Sequence, residues 1–212
     1  MPDVIKYHDL EFAYRPETTD WGIIQEACGG LNVLYFDVEP GEVWYDIGAH
    51  IGSFTCYAAQ KKAYVYSFEP VPDNYELLET NVELNGLTAQ VEAWNRAVTA
   101  DGRDIKLFID KQNYGNCSMY ERGNENFIVK HSSEAKGLTL FGQYCFKIDT
   151  EGCEYEILTT IDLKKVDKLI FEWHYWLIDN PESKLEDIYN LLNEAGIMNT
   201  ATHGGYMHYG WR

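Results

Sequence analysis

The groups best suited to chemistry fall in Trp44-Tyr45-Asp46-Ile47-Gly48-Ala49-His50-Ile51-Gly52 and in Tyr64-Val65-Tyr66-Ser67-Phe68-Glu69-Pro70. In the first stretch an apolar run ends in an acid and turns through two glycines. In the second, another apolar run ends in Glu69, 21 residues after Gly48. Glycines let backbone approach a ligand with no side chain in the way. A carboxylate at that distance can accept two hydrogen bonds from a ribose diol, and its charge strengthens both. The pair predicts a site for a cofactor that contains a nucleoside.

Glycine spacing selects among such cofactors. A dinucleotide wants G-x-G-x-x-G, with pyrophosphate on the helix N-terminus. This chain has D-x-G-x-x-x-G, with Asp46 two residues before Gly48. An acid there disfavours a pyrophosphate and suits an ammonium or sulfonium group. S-adenosylmethionine carries both, together with the ribose diol, and is the expected cofactor.

A second set of polar groups comes later: Asp149, Glu151, Glu154, Glu172 and His174. Methyl transfer to oxygen requires an aligned acceptor and a group that removes the hydroxyl proton. His174 is the expected base, because its ordinary pKa lies near working pH. Asp149 is the second choice, as base or as orienter of the acceptor. Asp149, Glu151, Glu172 and His174 also offer ligands for Mg²⁺ or Mn²⁺, but acid clusters outnumber metal sites and a metal is the less favoured variant.

The elements that would position these groups alternate along the chain. Val43–Asp46 reads as a strand, Ser53–Gln60 as a helix and Ala63–Glu69 as a strand. Asp73 with Glu76 forms a capping box for a helix to about Leu84, and Gln90–Trp94 is the third strand. Short strands Ile105–Ile109 and Phe127–Lys130 flank a polar loop, Gln112–Asn126. The rhythm resumes with strand Tyr144–Asp149, helix Tyr155–Ile161 and strand Lys168–His174. Ser183 with Glu186 opens a helix that Gly196 closes, and Asn199–Arg212 reads as an antiparallel hairpin. This pattern predicts an α/β fold with a mainly parallel, doubly wound sheet. Residues 1–42 are expected to be a short lead-in packed on the core, with a helix from Trp21 to about Ala27, and residues 43–212 the main domain.

Bulk properties narrow the partners. With 34 acids against 17 Lys and Arg in 212 residues, the formal charge is -17. Such a chain repels phosphate backbones, so no nucleic acid partner is expected. Five cysteines (Cys28, Cys56, Cys117, Cys145, Cys153) lack any C-x-x-C pair and read as reduced thiols. No signal peptide or membrane-spanning run stands out, and a cytoplasmic location is expected.

Several blocks, in order, carry a resemblance. D-I-G-A-H-I-G, S-F-E-P-V-P-D-N-Y-E-L-L-E-T-N-V-E-L-N-G, N-R-A-V, F-K-I-D-T-E-G-C-E-Y-E-I-L and L-I-F-E-W-H resemble the FkbM-type methyltransferases. That resemblance implies a class I, S-adenosylmethionine-dependent enzyme with a Rossmann-like seven-stranded sheet and an antiparallel final strand. It implies O-methylation, notably of hydroxyls on sugars and polyketide-derived molecules. It also places Asp46, Gly48, Ala49, His50 and Gly52 at the cofactor's amino-acid end, with Asp149 beside them, and Glu69 with Pro70 at its ribose. Asn95, Arg96 and Ala97 fall where adenine is usually held. The family's usual turn has asparagine where this chain has His50.

For the acceptor, a small molecule or glycan, the candidates are Glu151, Glu172, Tyr114, Ser118 and Trp176. Arg15 and Asp20 are further candidates to reach it. Alternative readings are an NAD(P)-dependent oxidoreductase, disfavoured by the missing third glycine, and a non-catalytic module that keeps the cofactor pocket.

Overall fold

The computed structural model describes residues 2–109, 125–129, 132–139 and 142–212. The chain opens with a hairpin, β1 (Asp3–Tyr7) and β2 (Leu10–Tyr14), followed by helix α1 (Asp20–Cys28). Next come β3 (Val43–Ile47), α2 (Ser53–Gln60), β4 (Tyr64–Phe68), α3 (Pro72–Leu84) and β5 (Val91–Trp94). Four short strands follow: β6 (Val98–Thr99), β7 (Ile105–Ile109), β8 (Glu125–Val129) and β9 (Ser133–Glu134). The remainder is β10 (Tyr144–Ile148), α4 (Glu154–Leu158), β11 (Val166–Glu172), α5 (Pro181–Glu194), β12 (Asn199–His203) and β13 (Met207–Trp211).

Seven of these strands form one mixed sheet in the order β12-β13-β11-β10-β3-β4-β5. The run from β11 to β5 is parallel, and β13 lies antiparallel to both β11 and β12. The inner strands are almost continuously buried because packing covers both faces. Successive residues of β3 serve opposite faces. Trp44 packs with Phe54 of α2 on one side, and Tyr45 with Phe146 of β10 on the other.

One row across the sheet is polar. Strand register sets Lys147 of β10 beside Asp46 of β3, and Asp46 beside Ser67 of β4. Thr55 of α2 completes the row: its hydroxyl donates to Asp46 Oδ2 at 2.7 Å and lies 2.8 Å from Ser67 Oγ.

The leading hairpin is clipped to the core by two asparagines of α3 and its end. Asn81 bonds both the N–H and the carbonyl of Ala13, and Asn85 does the same for Glu11. The asparagine amides thus act as a surrogate strand for the open edge of β2. This fixes where the chain enters α1.

Several local expectations shift. α3 begins at Pro72 behind Val71, so Asp73 lies in its first turn and makes no capping box. α5 begins at Pro181 behind Asn180, two residues before Ser183. The fourth helix starts at Glu154 and is only five residues long. Residues 112–124 of the polar loop, Tyr114 and Ser118 among them, lie outside the described residues. Among the described residues, no helix is long and apolar enough to cross a membrane.

Candidate functional site

The glycine turn leaves the carboxyl end of β3. Gly48 and Ala49 both donate their N–H groups to the Phe68 carbonyl, at 2.9 and 3.0 Å. Gly48 has φ +82°, and a Cβ there would overlap the carbonyl oxygen of Asp149. His50 adopts φ +53° without glycine's freedom. Glu69 helps hold it there, accepting the His50 N–H at 2.8 Å through Oε2. Through Oε1, Glu69 accepts the Val71 N–H at 2.9 Å and the Asn74 amide at 3.3 Å. It therefore joins the turns after β3 and β4. Burial pushes the Glu69 carboxyl up to about 7, against the hydrogen bonds from Val71 and His50.

These turns border a cavity of about 420 Å³ at the carboxyl edge of the parallel strands. Gly48, Ala49, His50, Glu69 and Pro70 line it. So do Asp149 and Glu151, which follow β10, and Glu172 at the end of β11. Arg96 and Ala97 lie on the side formed by Val98, Ile105 and Leu107, which is apolar. The opposite side comes from the start of the chain: Thr19, Gly22, Ile23 and Glu26.

Other residues fall elsewhere. Asp46 is fully buried in the polar row and absent from the cavity wall. Its partners are Thr55 and Lys147, beneath the turn. Gly52 packs against Leu78, where a Cβ would lie 3.0 Å from Leu78 Cγ. Asn95 points its amide at the Glu69 carbonyl, 2.9 Å away, and steadies the strand end. Arg15 and Asp20 pair with each other at 2.8 Å, behind the wall. Trp176 is half exposed outside the cavity, edge-on to His174 at 5.3 Å.

His174 departs most from expectation. It is 1% exposed and does not line the cavity. Its Nδ1 is 3.0 Å from Glu154, and its Nε2 lies 3.4 Å from Glu151, 3.7 Å from Glu172 and 3.9 Å from Asp149. Burial opposes the charged ring, yet the surrounding carboxylates push its pKa up to about 11. A ring held in its charged form is a poor proton acceptor, so the surroundings of His174 disfavour it as the base. Of the nearby carboxylates that line the cavity, Asp149 is the most exposed, with a third of its side chain open. Glu172, beside it, is pushed up to about 8 by burial and by Asp149, which favours its protonated form.

Sequence reasoning missed two charged wall residues, Lys147 and Glu26. Lys147 is buried, with Nζ 3.0 Å from the Gly48 carbonyl and 3.4 Å from both Asp46 and Asp149. Burial opposes its charge, but the two acids win and hold it protonated. A signal existed: a lone cation in the otherwise apolar strand Tyr144–Ile148 demands a buried acid. Glu26 had no such signal, because only packing of α1 brings it to the cavity. Asp149, Glu172 and His174 each place a candidate ligand atom within 4.8 Å of the others, and Lys147 and His174 already set two positive charges against these carboxylates.

Comparison with known proteins gives three findings. A family model described as the methyltransferase FkbM domain matches residues 46–197. Two curated proteins match, both named tRNA (guanine(37)-N(1))-methyltransferase. The Xenopus tropicalis protein is 38% identical over 123 residues, covering 57% of this chain, and the Mus musculus protein is 23% identical over 125 residues, covering 58%. The matched segment spans only 24% of the length of each. Among solved structures, precorrin-6y C5,15-methyltransferase from Geobacter metallireducens has a TM-score of 0.51 at 13% identity, over 95% of both chains. That likeness is one of fold. The curated relatives overturn the exclusion of nucleic acid drawn from net charge, since both are named for a tRNA substrate. Total charge averages over the whole surface and does not decide what one cavity accepts.

Proposed function

The chain belongs to the FkbM methyltransferase family, and we propose that it transfers the methyl group of S-adenosylmethionine to a hydroxyl of a sugar, glycan or related polyhydroxylated molecule. One observation carries this reading. Asp149 and Glu172, at the ends of neighbouring parallel strands, line the same cavity as the glycine turn and Glu69. When bound, S-adenosylmethionine supplies an activated methyl on a sulfonium, which leaves a neutral thioether behind.

The chain's own residues do the rest. Glu69 receives the ribose diol, and Ala97, Val98, Ile105 and Leu107 offer an apolar seat for adenine. Glu172, in the protonated form that its surroundings favour, donates a hydrogen bond that orients the acceptor. Asp149 takes the hydroxyl proton as the new O–C bond forms. Tyr175 and Trp176 follow β11 directly and are 54% and 46% exposed, and aromatic faces beside carboxyl groups suit a sugar ring. Free thiols at Cys28, Cys56, Cys145 and Cys153 support a reducing, cytoplasmic setting.

The names of the curated relatives favour a second acceptor, a tRNA base, so the test offers both classes. Labelled S-adenosylmethionine is supplied with glycosides, nucleotide-sugars, glycan fragments and tRNA transcripts, and products are read by mass spectrometry. Label on a sugar oxygen supports the proposal, and label on a tRNA base replaces its acceptor. Binding of S-adenosylhomocysteine without transfer to any acceptor leaves a non-catalytic module. A thermal shift with NADH and none with S-adenosylhomocysteine ends the methyltransferase reading. With a sugar acceptor, Trp176→Ala raises KM and leaves affinity for S-adenosylhomocysteine unchanged.

A further inference from the structure

Asn74, Asn81 and Asn85 lie along one face of α3 and its end. Steps of seven and four residues return to nearly the same direction at about 3.6 residues per turn. All three bond the leading segment. Asn85 holds Glu11, Asn81 holds Ala13, and Asn74 Oδ1 accepts a hydrogen bond from Arg15 Nη2 at 2.7 Å. Of the three, Asn74 alone also borders the cavity. Its Nδ2 donates to Glu69 Oε1 at 3.3 Å. These partners fix the amide's orientation. Turned over, it would set its NH2 against a guanidinium and its oxygen against a carboxylate. Arg15 is held in turn by Asp20, the first residue of α1. Its backbone N–H and Nε donate to Asp20 Oδ2 at 2.9 and 2.8 Å, and Nη2 donates to Asp20 Oδ1 at 3.0 Å. Asp20 and Asn74 are both buried.

We propose that Arg15 and Asn74 are positioning residues for ribose recognition, holding Glu69 in the orientation that receives the diol and tying that orientation to the seating of α1. This rests on the S-adenosylmethionine reading and on Glu69 as the ribose acid. His50 and Val71 hold Glu69 through backbone N–H groups of two turns. Asn74 is the side-chain donor of the set, and an amide on a helix can rotate away. The short bond from Arg15 stops that rotation, and a cation on the amide oxygen strengthens what the amide nitrogen donates. A guanidinium that does not line the cavity thus reaches the ribose acid through one amide. It does so from outside the segment that matches the family, which begins at residue 46.

Calorimetry with S-adenosylhomocysteine and its 2′-deoxy analogue tests this, because the ratio of the two affinities reads the ribose contact and cancels a general loss of folding. The wild-type chain is expected to prefer S-adenosylhomocysteine by roughly tenfold or more, as for a hydrogen bond to a charged group. Asn74→Leu keeps the shape, loses both bonds and removes most of that preference. Arg15→Met does the same although Arg15 is outside the cavity wall; it is combined with Asp20→Asn, so that no buried charge is left unpaired. Arg15→Lys keeps an N–H for Asn74 and retains the preference. In a Glu69→Gln background, Asn74→Leu adds no further loss, because it acts through Glu69. An unchanged preference in Asn74→Leu or in Arg15→Met with Asp20→Asn, or a further loss in Glu69→Gln, overturns the proposal and leaves the cofactor reading standing. A wild-type chain that binds both ligands equally ends the ribose role of Glu69, and one that binds neither ends the cofactor reading. Either result takes this inference with it.

Discussion

Binding of S-adenosylhomocysteine is expected to tighten as pH rises, and Glu69 is the reason. Its carboxyl moves from an ordinary 4.5 to about 7 in the folded chain. The folded-state pKa is raised, so the stability linked to this group is full below pH 4.5 and is lost as pH rises through 7. At ~1.4 kcal/mol per pH unit the buried ionised form costs about 3 kcal/mol. A ribose diol donates two hydrogen bonds to that ionised form and so selects it. With a pKa of about 7, about one Glu69 in eleven is ionised at pH 6 and about ten in eleven at pH 8. Affinity then rises roughly tenfold between those pH values. Calorimetry in two buffers of different protonation heat checks this directly, with about half a proton released per ligand near pH 7. Glu172 titrates in the same window, so Glu172→Gln is measured in parallel and retains the slope, whereas Glu69→Gln loses it. An affinity independent of pH in the wild-type chain, or the same slope in Glu69→Gln, refutes the reasoning.

Other perturbations test the scaffold. Lys147→Met leaves Asp46 buried without its cation, and a loss of ~3–5 kcal/mol in denaturant titration is expected; a loss well below that range would show the pair to be dispensable. Gly48→Ala meets the Asp149 carbonyl and a positive φ together, whereas Gly86→Ala meets only φ +66° in open space. The first is expected to abolish soluble expression, and the second to cost about 1–2 kcal/mol by thermal denaturation. His174, with its pKa raised to about 11, contributes stability that is full below its ordinary 6.5 and is lost as pH rises through 11. His174→Gln is therefore less stable near neutrality and loses less on going alkaline, as melting curves across that range will show. If Asp149 is the base as proposed, turnover of His174→Gln loses no limb with a midpoint near neutral pH.

Much of this was legible because it is local. Glycine spacing, an acid at the end of each apolar run and the alternation of strands with helices depend on neighbours in the chain. The role of Asp46 was legible too and was misread. It stands two residues after Trp44, so it shares the face of the sheet that α2 covers and takes no part in the cavity wall. His174 was misread for a different reason. An ordinary histidine is a base near neutrality, but this one is ringed by carboxylates from the turn after β10, from α4 and from β11, and no spacing announces that ring. Glu26 lay beyond reach because the entry to α1 is set by Asn81 and Asn85, more than sixty residues away. The charge argument failed because a total carries no position.

The matched family segment runs from Asp46 to Ile197, yet α1, at Asp20–Cys28, closes one side of the cavity from outside it. Residues of the matched segment line most of the cavity, and α1 with its neighbours closes one flank of it. That leading segment is held to the core by a hairpin and by the Arg15–Asp20–Asn74 contacts. Removing the residues before Val43 would leave the glycine turn and the strand ends in place and open to water the flank that Thr19, Gly22, Ile23 and Glu26 now close.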